Sequence, residues 1–173
     1  MPFTISQFNA AIADAARPNQ FTISFTPPSG VTIPNAGILC KAAAIPGLTI
    51  GVIEVPLQGG RRMKLPGDRT FAEWTATFIA DQSHGLRTGF EKWMAGIVNF
   101  NFDTSTKTSG QVTGDYKQTI VVQQLNSNGS SVTGGTYTLK EAFPTDISQI
   151  DLSYDTTDTI EEFTVTFQYT YYS

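Results

Sequence analysis

The chain has 173 residues, 40% of them hydrophobic and only 15% charged, with 12 Phe, 6 Tyr and one Cys. That length buries a real core and predicts one domain over residues 1–173, while the aromatic and hydroxyl-rich balance favours β-structure. A net charge of −4 argues against bulk electrostatic binding of nucleic acid, a single Cys excludes an internal disulfide, and no apolar run approaches the ~20 residues of a membrane span.

In chain order, Thr4–Ala16 is predicted as a short helix, part of an N-terminal arm over residues 1–18. Ile5, Phe8 and Ile12 share one face, Thr4 and Gln7 have capping-box spacing, and Pro18 ends it. No basic-then-apolar signal-peptide signature opens the chain. Phe21–Phe25 alternates as a strand and stops at Pro27-Pro28-Ser29-Gly30. Ile38–Ala44 is predicted as a strand ended by Pro46-Gly47. Leu48–Pro56 and Arg61–Leu65 form the arms of a hairpin, residues 48–65, turned by Gln58-Gly59-Gly60. Leu65-Pro66-Gly67-Asp68 fits a type II turn, with Asp68 bonding its own backbone and Arg69 pairing with a nearby carboxylate or carbonyl. The next strand places Trp74, Ala76 and Phe78 on one face and Glu73, Thr75 and Thr77 on the other.

Ser83 is predicted to cap an amphipathic helix over 83–97, with Leu86, Phe90, Trp93 and Ile97 as its apolar stripe. Asn99–Asp115 reads as a polar loop. Strands follow at Lys117–Leu125, Thr136–Ala142 and Ile147–Tyr154, with a polar turn over Asn126–Gly135. In the last strand Phe163, Val165, Phe167, Tyr169 and Tyr171 share one face, and Glu162, Thr164, Thr166, Gln168 and Thr170 the other. Antiparallel strands with one flanking helix predict a mainly β sandwich or barrel.

Charge is unevenly placed. Residues 1–140 hold all 11 basic and 8 acidic residues, a balance of +3, whereas residues 141–173 hold 7 acidic residues and no basic one. Such a molecule is suited to attract copies of itself head to tail. Arg61, Arg62 and Lys64 form the densest basic spot, beside Glu54, and a contact with an acidic partner surface is the sharpest reading of them.

Chemistry is hard to find. His84 is the only His, and no ligand-spaced metal cluster is visible. A Cys40–His84 dyad stays open, although Cys40 lies in a strand-like run where a small core residue is expected. The glycines around Arg61 and Arg69 match no phosphate-loop spacing. Glu161 and Glu162 are neighbours in a strand and point to opposite faces, a poor acid–base pair.

Read together, "ARPNQF" (16–21), "CKAAAIPG" (40–47), "GDRTFAEWTATF" (67–78), "FEKWM" (90–94) and "AFPTDISQIDLSYDTTDTIEEFTVTFQY" (142–169) resemble, in order and spacing, the tail tube proteins of contractile-tailed bacteriophages. The resemblance implies a β-barrel or sandwich whose subunits form hexameric rings, with strands joined into one inner barrel and rings stacked into a hollow tube inside a sheath. It implies a structural protein of the virion tail, assembled in the host bacterial cytoplasm, with no enzyme activity and no cofactor. Expected partners are copies of itself, the tail sheath, baseplate and tail terminator proteins, and the tape-measure protein and genomic DNA passing through the lumen. Neither stable nucleic-acid binding nor membrane insertion is implied. The matching inter-ring hairpin is Leu48–Leu65, and the opposite charge of the two regions makes Arg61, Arg62 and Lys64, with Glu54, candidates to meet acidic residues of the 141–162 segment, Asp155 and Asp158 among them, on the next ring. Glu162, Thr164, Thr166, Gln168 and Thr170 are candidates to line the lumen, where neutral, hydrated groups would not grip a phosphate backbone. Pro27–Gly37 and Asn99–Asp115 look like variable loops and carry no role. The alternatives are the tube of a phage-tail-like injection device, such as a tailocin or a type VI secretion system, and a monomeric β-sandwich binding module.

Overall fold

The structure, a computed structural model, describes residues 4–12, 15–97 and 116–173. Its elements run α1 (Ile5–Ile12), β1 (Phe21–Phe25), α2 (Ala36–Leu39), β2 (Cys40–Ala43), β3 (Leu48–Pro56), β4 (Arg62–Phe71), β5 (Trp74–Ile79), α3 (Gly85–Ile97), β6 (Gln118–Leu125), β7 (Ser131–Ile147), β8 (Glu162–Gln168) and β9 (Tyr171–Tyr172). The expected loop at Asn99–Asp115 lies outside the described residues.

All strand pairs are antiparallel. One sheet has the order β1-β6-β7-β8-β5-β2, with β9 on β7, and β3-β4 form a separate two-stranded ribbon. The long β7 joins two half-sheets, since its first part pairs with β6 and its last part with β8. The corner is Glu141, held at φ 57°. There Lys140 and Glu141 face the single residue Thr119, because Gln118 opposes Ala142 and Ile120 opposes Leu139. This bulge bends and twists the strand. The Glu141 carboxylate secures the bend by accepting hydrogen bonds from Thr170 Oγ1 at 2.6 Å and Lys117 Nζ at 3.1 Å.

The two half-sheets pack as a sandwich. Ile23, Ile120, Val122 and Leu139 face Trp74, Phe78, Phe163, Val165 and Phe167, and Leu86, Phe90 and Trp93 of α3 join the same core. Phe25 packs between the layers, its ring centroid 5.7 Å from both Phe90 and Phe167. The buried indole N–H groups are satisfied: Trp74 Nε1 donates to Ala44 O at 2.6 Å and Trp93 Nε1 to Tyr116 O at 2.9 Å.

The N-terminal capping box forms as read, with Gln7 N donating to Thr4 Oγ1 at 3.3 Å and Thr4 N to Gln7 Oε1 at 3.2 Å. Other local readings are corrected. Residues 38 and 39 end a helical turn in which both amides donate to Asn35 O, and the strand starts only at Cys40. At the start of α3 the acceptor is Asp81 rather than Ser83: Asp81 Oδ1 takes the Leu86 amide, and Ser83 Oγ donates to Asp81 Oδ2. The polar turn closes within Asn126–Ser130, where Asn126 Oδ1 accepts the amides of Asn128 and Ser130. Ile147–Tyr154 is not a strand. β7 ends at Ile147, and residues 148–161 form an irregular excursion before β8.

The type II turn at Leu65–Asp68 is also absent. It would need positive φ at Gly67, and Gly67 is not among the positive-φ glycines. The strand continues instead: Val52 opposes Pro66 and Ile50 opposes Arg69, so Gly67 and Asp68 together face Gly51. Proline, lacking an N–H, is tolerated at such a bulge. A Cβ on Gly67 would sit 3.1 Å from the Gly51 carbonyl, so two glycines let the backbones close. Arg69 lies exposed opposite Ile50.

Candidate functional site

Three surfaces concentrate the exposed features, and the first is the ribbon. Among the described residues β3 and β4 pair only with each other. Its root is anchored by Phe71, whose ring lies 5.7 Å from Tyr169 and 5.6 Å from Tyr172. Gly59 and Gly60, at φ 87° and 78°, turn the tip. Opposed residues share a face, so Glu54, Lys64, Pro56 and Arg62 lie together on one side of the tip. There Arg62 Nη1 is 2.7 Å and Lys64 Nζ 4.0 Å from the Glu54 carboxylate. Arg61 stands exposed at the turn. Ile53, Leu65, Val55 and Met63 fill the other side, continued by Leu57, and all five are exposed. Nearer the root the apolar residues Leu48, Ile50 and Val52 occupy the Glu54 side instead.

The second surface is the excursion 148–161. Its ends are fastened: Arg87 Nη1 donates to Ser148 O at 3.0 Å, Thr164 N to Ser148 Oγ at 2.9 Å, and Ala80 N to Glu161 O at 2.9 Å. Between them Asp151, Asp155 and Asp158 are exposed, together with Leu152, Tyr154 and Ile160. The excursion surrounds an open concavity of about 590 Å³ lined by these apolar residues, Asp151 and Glu161.

Register fixes where these two surfaces lie. Trp74 opposes Phe167 and Ile79 opposes Glu162. The ribbon enters β5 at its Trp74 end, and the excursion enters β8 at Glu162. The two are therefore rooted at opposite ends of one strand pair, about 16 Å apart at a rise of roughly 3.3 Å per residue. The segment with Arg61, Arg62 and Lys64 and the segment with Asp151, Asp155 and Asp158 thus leave the strand pair at opposite ends, with Lys41, His84 and Arg87 beside the second.

The third surface is the outer side of β5 and β8. Glu162, Thr164, Thr166 and Gln168 lie there as read, beside Thr75 and Thr77, while Thr170 falls beyond the end of β8 and turns to Glu141. Thr77 and Thr164 share a hydroxyl contact of 3.2 Å, Gln168 Nε2 donates to Glu73 Oε1 at 2.7 Å, and Lys41 Nζ pairs with Glu162 at 2.5 Å. α3 lies on the other, apolar side, where Phe90 and Trp93 contact Phe167.

The structure gives the catalytic alternative no help. Burial pushes the Cys40 thiol up to about 11, against a nucleophilic thiolate, and Sγ donates to Ala42 O. His84 faces Glu161, 3.8 Å away, and sits at φ 49°. No metal-holding group of three or more His, Cys, Asp or Glu occurs among the described residues, nor is any helix there long and apolar enough to cross a membrane.

Residues 16–173 match the model of the phage tail tube protein family. The chain belongs to that family. It is 28% identical over 159 residues to tail tube protein gp19 of Enterobacteria phage T4, covering 92% of this chain and 91% of that protein. It is 31% identical over 132 residues to the tail tube protein of Serratia phage KSP90, covering 76% and 71%. Two solved structures share the fold. A chain in the cryo-EM structure of the anti-feeding prophage baseplate aligns at TM-score 0.66 and 17% identity, covering 91% of this chain and 93% of that one. A chain in the sheath–tube complex of an extracellular contractile injection system aligns at 0.60 and 16%, covering 99% and 97%. As a member of that family it is a structural protein of a phage tail tube.

Sequence reading singled out the charged side of the ribbon and missed Ile53, Val55, Leu57, Met63 and Leu65. Their alternation is that of any strand covered on one side. Only the lack of a covering layer among the described residues distinguishes them.

Proposed function

We propose that residues 1–173 act as one tube-building unit: six copies close a ring, and rings stack head to tail into a hollow conduit through which the genome leaves the virion. The observation that carries this reading is the placement of a basic ribbon and an acidic excursion at opposite ends of β5 and β8. Two different surfaces that complement each other but cannot close on themselves generate a filament. Ring closure uses the outer strands β1 and β2, whose unpaired margins are a hazard in a monomer and a joint in a ring. The 6-fold symmetrised baseplate that contains a chain of this fold supports six copies.

Between rings, Arg61, Arg62 and Lys64, with Glu54, meet Asp155 and Asp158 of the next ring. The polar side of β8, with Glu162, Thr164, Thr166, Gln168 and Thr170, lines the lumen. Hydroxyl and amide groups there are hydrated without holding phosphate, and Lys41 beside them is held by Glu162. Weak contact lets DNA slide. The role is mechanical and needs neither catalysis nor a cofactor. The sheath, baseplate and terminator bind the tube from outside and at its ends, the tape-measure protein occupies the lumen before DNA, and assembly takes place in the host cytoplasm.

Electron microscopy of concentrated purified protein tests this, with hollow tubes expected and isolated globules overturning it. In tubes of Thr166→Cys with Cys40→Ala, a small thiol reagent should react and a bulky one should not. Equal reaction with both would move this face to the outside.

A further inference from the structure

Of the three surfaces, the ribbon's apolar side is left without a task by charge pairing alone. Ile53, Val55, Leu57, Met63 and Leu65 present large apolar side chains to solvent on a ribbon that no other strand pairs with. Exposed patches of that kind mark interaction sites. Arg62 and Lys64 lie on the opposite side and already share Glu54, so they orient an encounter better than they hold a complex.

We infer that the apolar side of the ribbon tip seats in the concavity of the 148–161 excursion on a second copy of this chain. This rests on the head-to-tail reading above and names the contact that holds it. Three observations select that occupant. The concavity is open, about 590 Å³, and Ile150, Leu152, Tyr154 and Ile160 stand among the polar residues that line it, giving side chains such as Met63 and Val55 apolar partners there. Asp151 and Glu161 line it and Asp155 and Asp158 are exposed on the same excursion, with Lys41 and His84 against Glu162 and Glu161 at its end, while the ribbon tip carries Arg61, Arg62 and Lys64 against one Glu54. Finally, the two surfaces are rooted at opposite ends of β5 and β8, as a head-to-tail contact between translated copies requires. The apolar seat then sets how long two rings stay together, and the charged rim sets how fast they meet. Sixfold repetition multiplies a modest single contact.

Three full-length proteins test it: Val55→Ser with Met63→Ser, Leu152→Ser with Ile160→Ser, and all four together, each checked for folding by circular dichroism. The critical concentration for tube growth, read by pelleting, should rise at least tenfold for each pair. In the fourfold variant it should rise by less than the product of the two, because both pairs remove one contact. An unchanged critical concentration in either folded pair, or effects that multiply, would overturn the seat. As a second measurement, Met63→Cys with Leu152→Cys in a Cys40→Ala background should give covalent ladders with a flexible bis-maleimide once tubes have formed. Well-formed tubes without ladders would overturn the seat while leaving the tube reading intact. Wild-type protein that forms no tubes would overturn both.

Discussion

The ribbon β3–β4 and the pair β5–β8 are both antiparallel, alternating and rich in β-branched residues, yet they fare differently. Along β5, Trp74, Ala76 and Phe78 are fully buried under α3 and the facing half-sheet. Along β3, no residue is buried at all. Alternation therefore tells which side chains share a face, and says nothing about whether the same chain supplies the cover. In the core pair the cover is internal and contributes to the stability of the protomer. In the ribbon no such cover is present among the described residues, so the same chemistry is available to a partner.

The comparison is most sharply tested in the core. Phe167 is fully buried and its ring meets Phe25, Trp74, Phe90 and Trp93. Phe167→Ala should cost about 3–5 kcal/mol in urea unfolding of the protomer, much of its reserve. A loss below about 1 kcal/mol would show the core to be far looser than this packing. Next comes Gly67→Val, which forces a side chain against the Gly51 carbonyl. It should destabilise the ribbon by about 1–3 kcal/mol. Hydrogen exchange should accelerate from Ile50 to Glu54 while the global midpoint stays put. A fall in that midpoint would show the ribbon and sandwich to be one cooperative unit.

Smaller still is the effect of Glu141→Gln at the β7 corner. The Thr170 hydroxyl, and then Lys117, hold the Glu141 carboxyl below its ordinary value of 4.5. A depressed carboxylate stabilises the fold fully above that ordinary value and loses its contribution as pH falls through the lowered one. The wild type should melt above the variant at pH 7, and the two melting curves should converge in acid. A gap that persists there would assign the effect to backbone geometry alone. The smallest change belongs to Val55→Ser with Met63→Ser, whose protomer stability should stay within about 0.5 kcal/mol of wild type. A larger drop would mean that the ribbon tip already packs on its own chain.

The regular parts of the fold were legible because their periodicity was strong. The alternation of Phe163 to Tyr169, the Trp74-Ala76-Phe78 face and the Leu86-Phe90-Trp93 stripe all lie where the spacing puts them. Pro66-Gly67-Asp68 was misread because its local chemistry is that of a turn, and only pairing with Gly51 makes it a bulge. The corner at Glu141 carries no local signal, since a glutamate at positive φ is imposed by its surroundings. Of the candidate site, the uneven charge was visible from composition. Its placement depends on the β5–β8 register, which separates the roots of the ribbon and the excursion by the length of a strand pair and cannot be seen in a linear chain.

The ribbon changes its greasy side partway along, with Leu48, Ile50 and Val52 turned one way and Ile53, Val55 and Leu57 the other. A strip built like that gains little by lying flat on one wall. To hide all its oil it has to be gripped like a tongue between two jaws, one pressing near the hinge and one near the point.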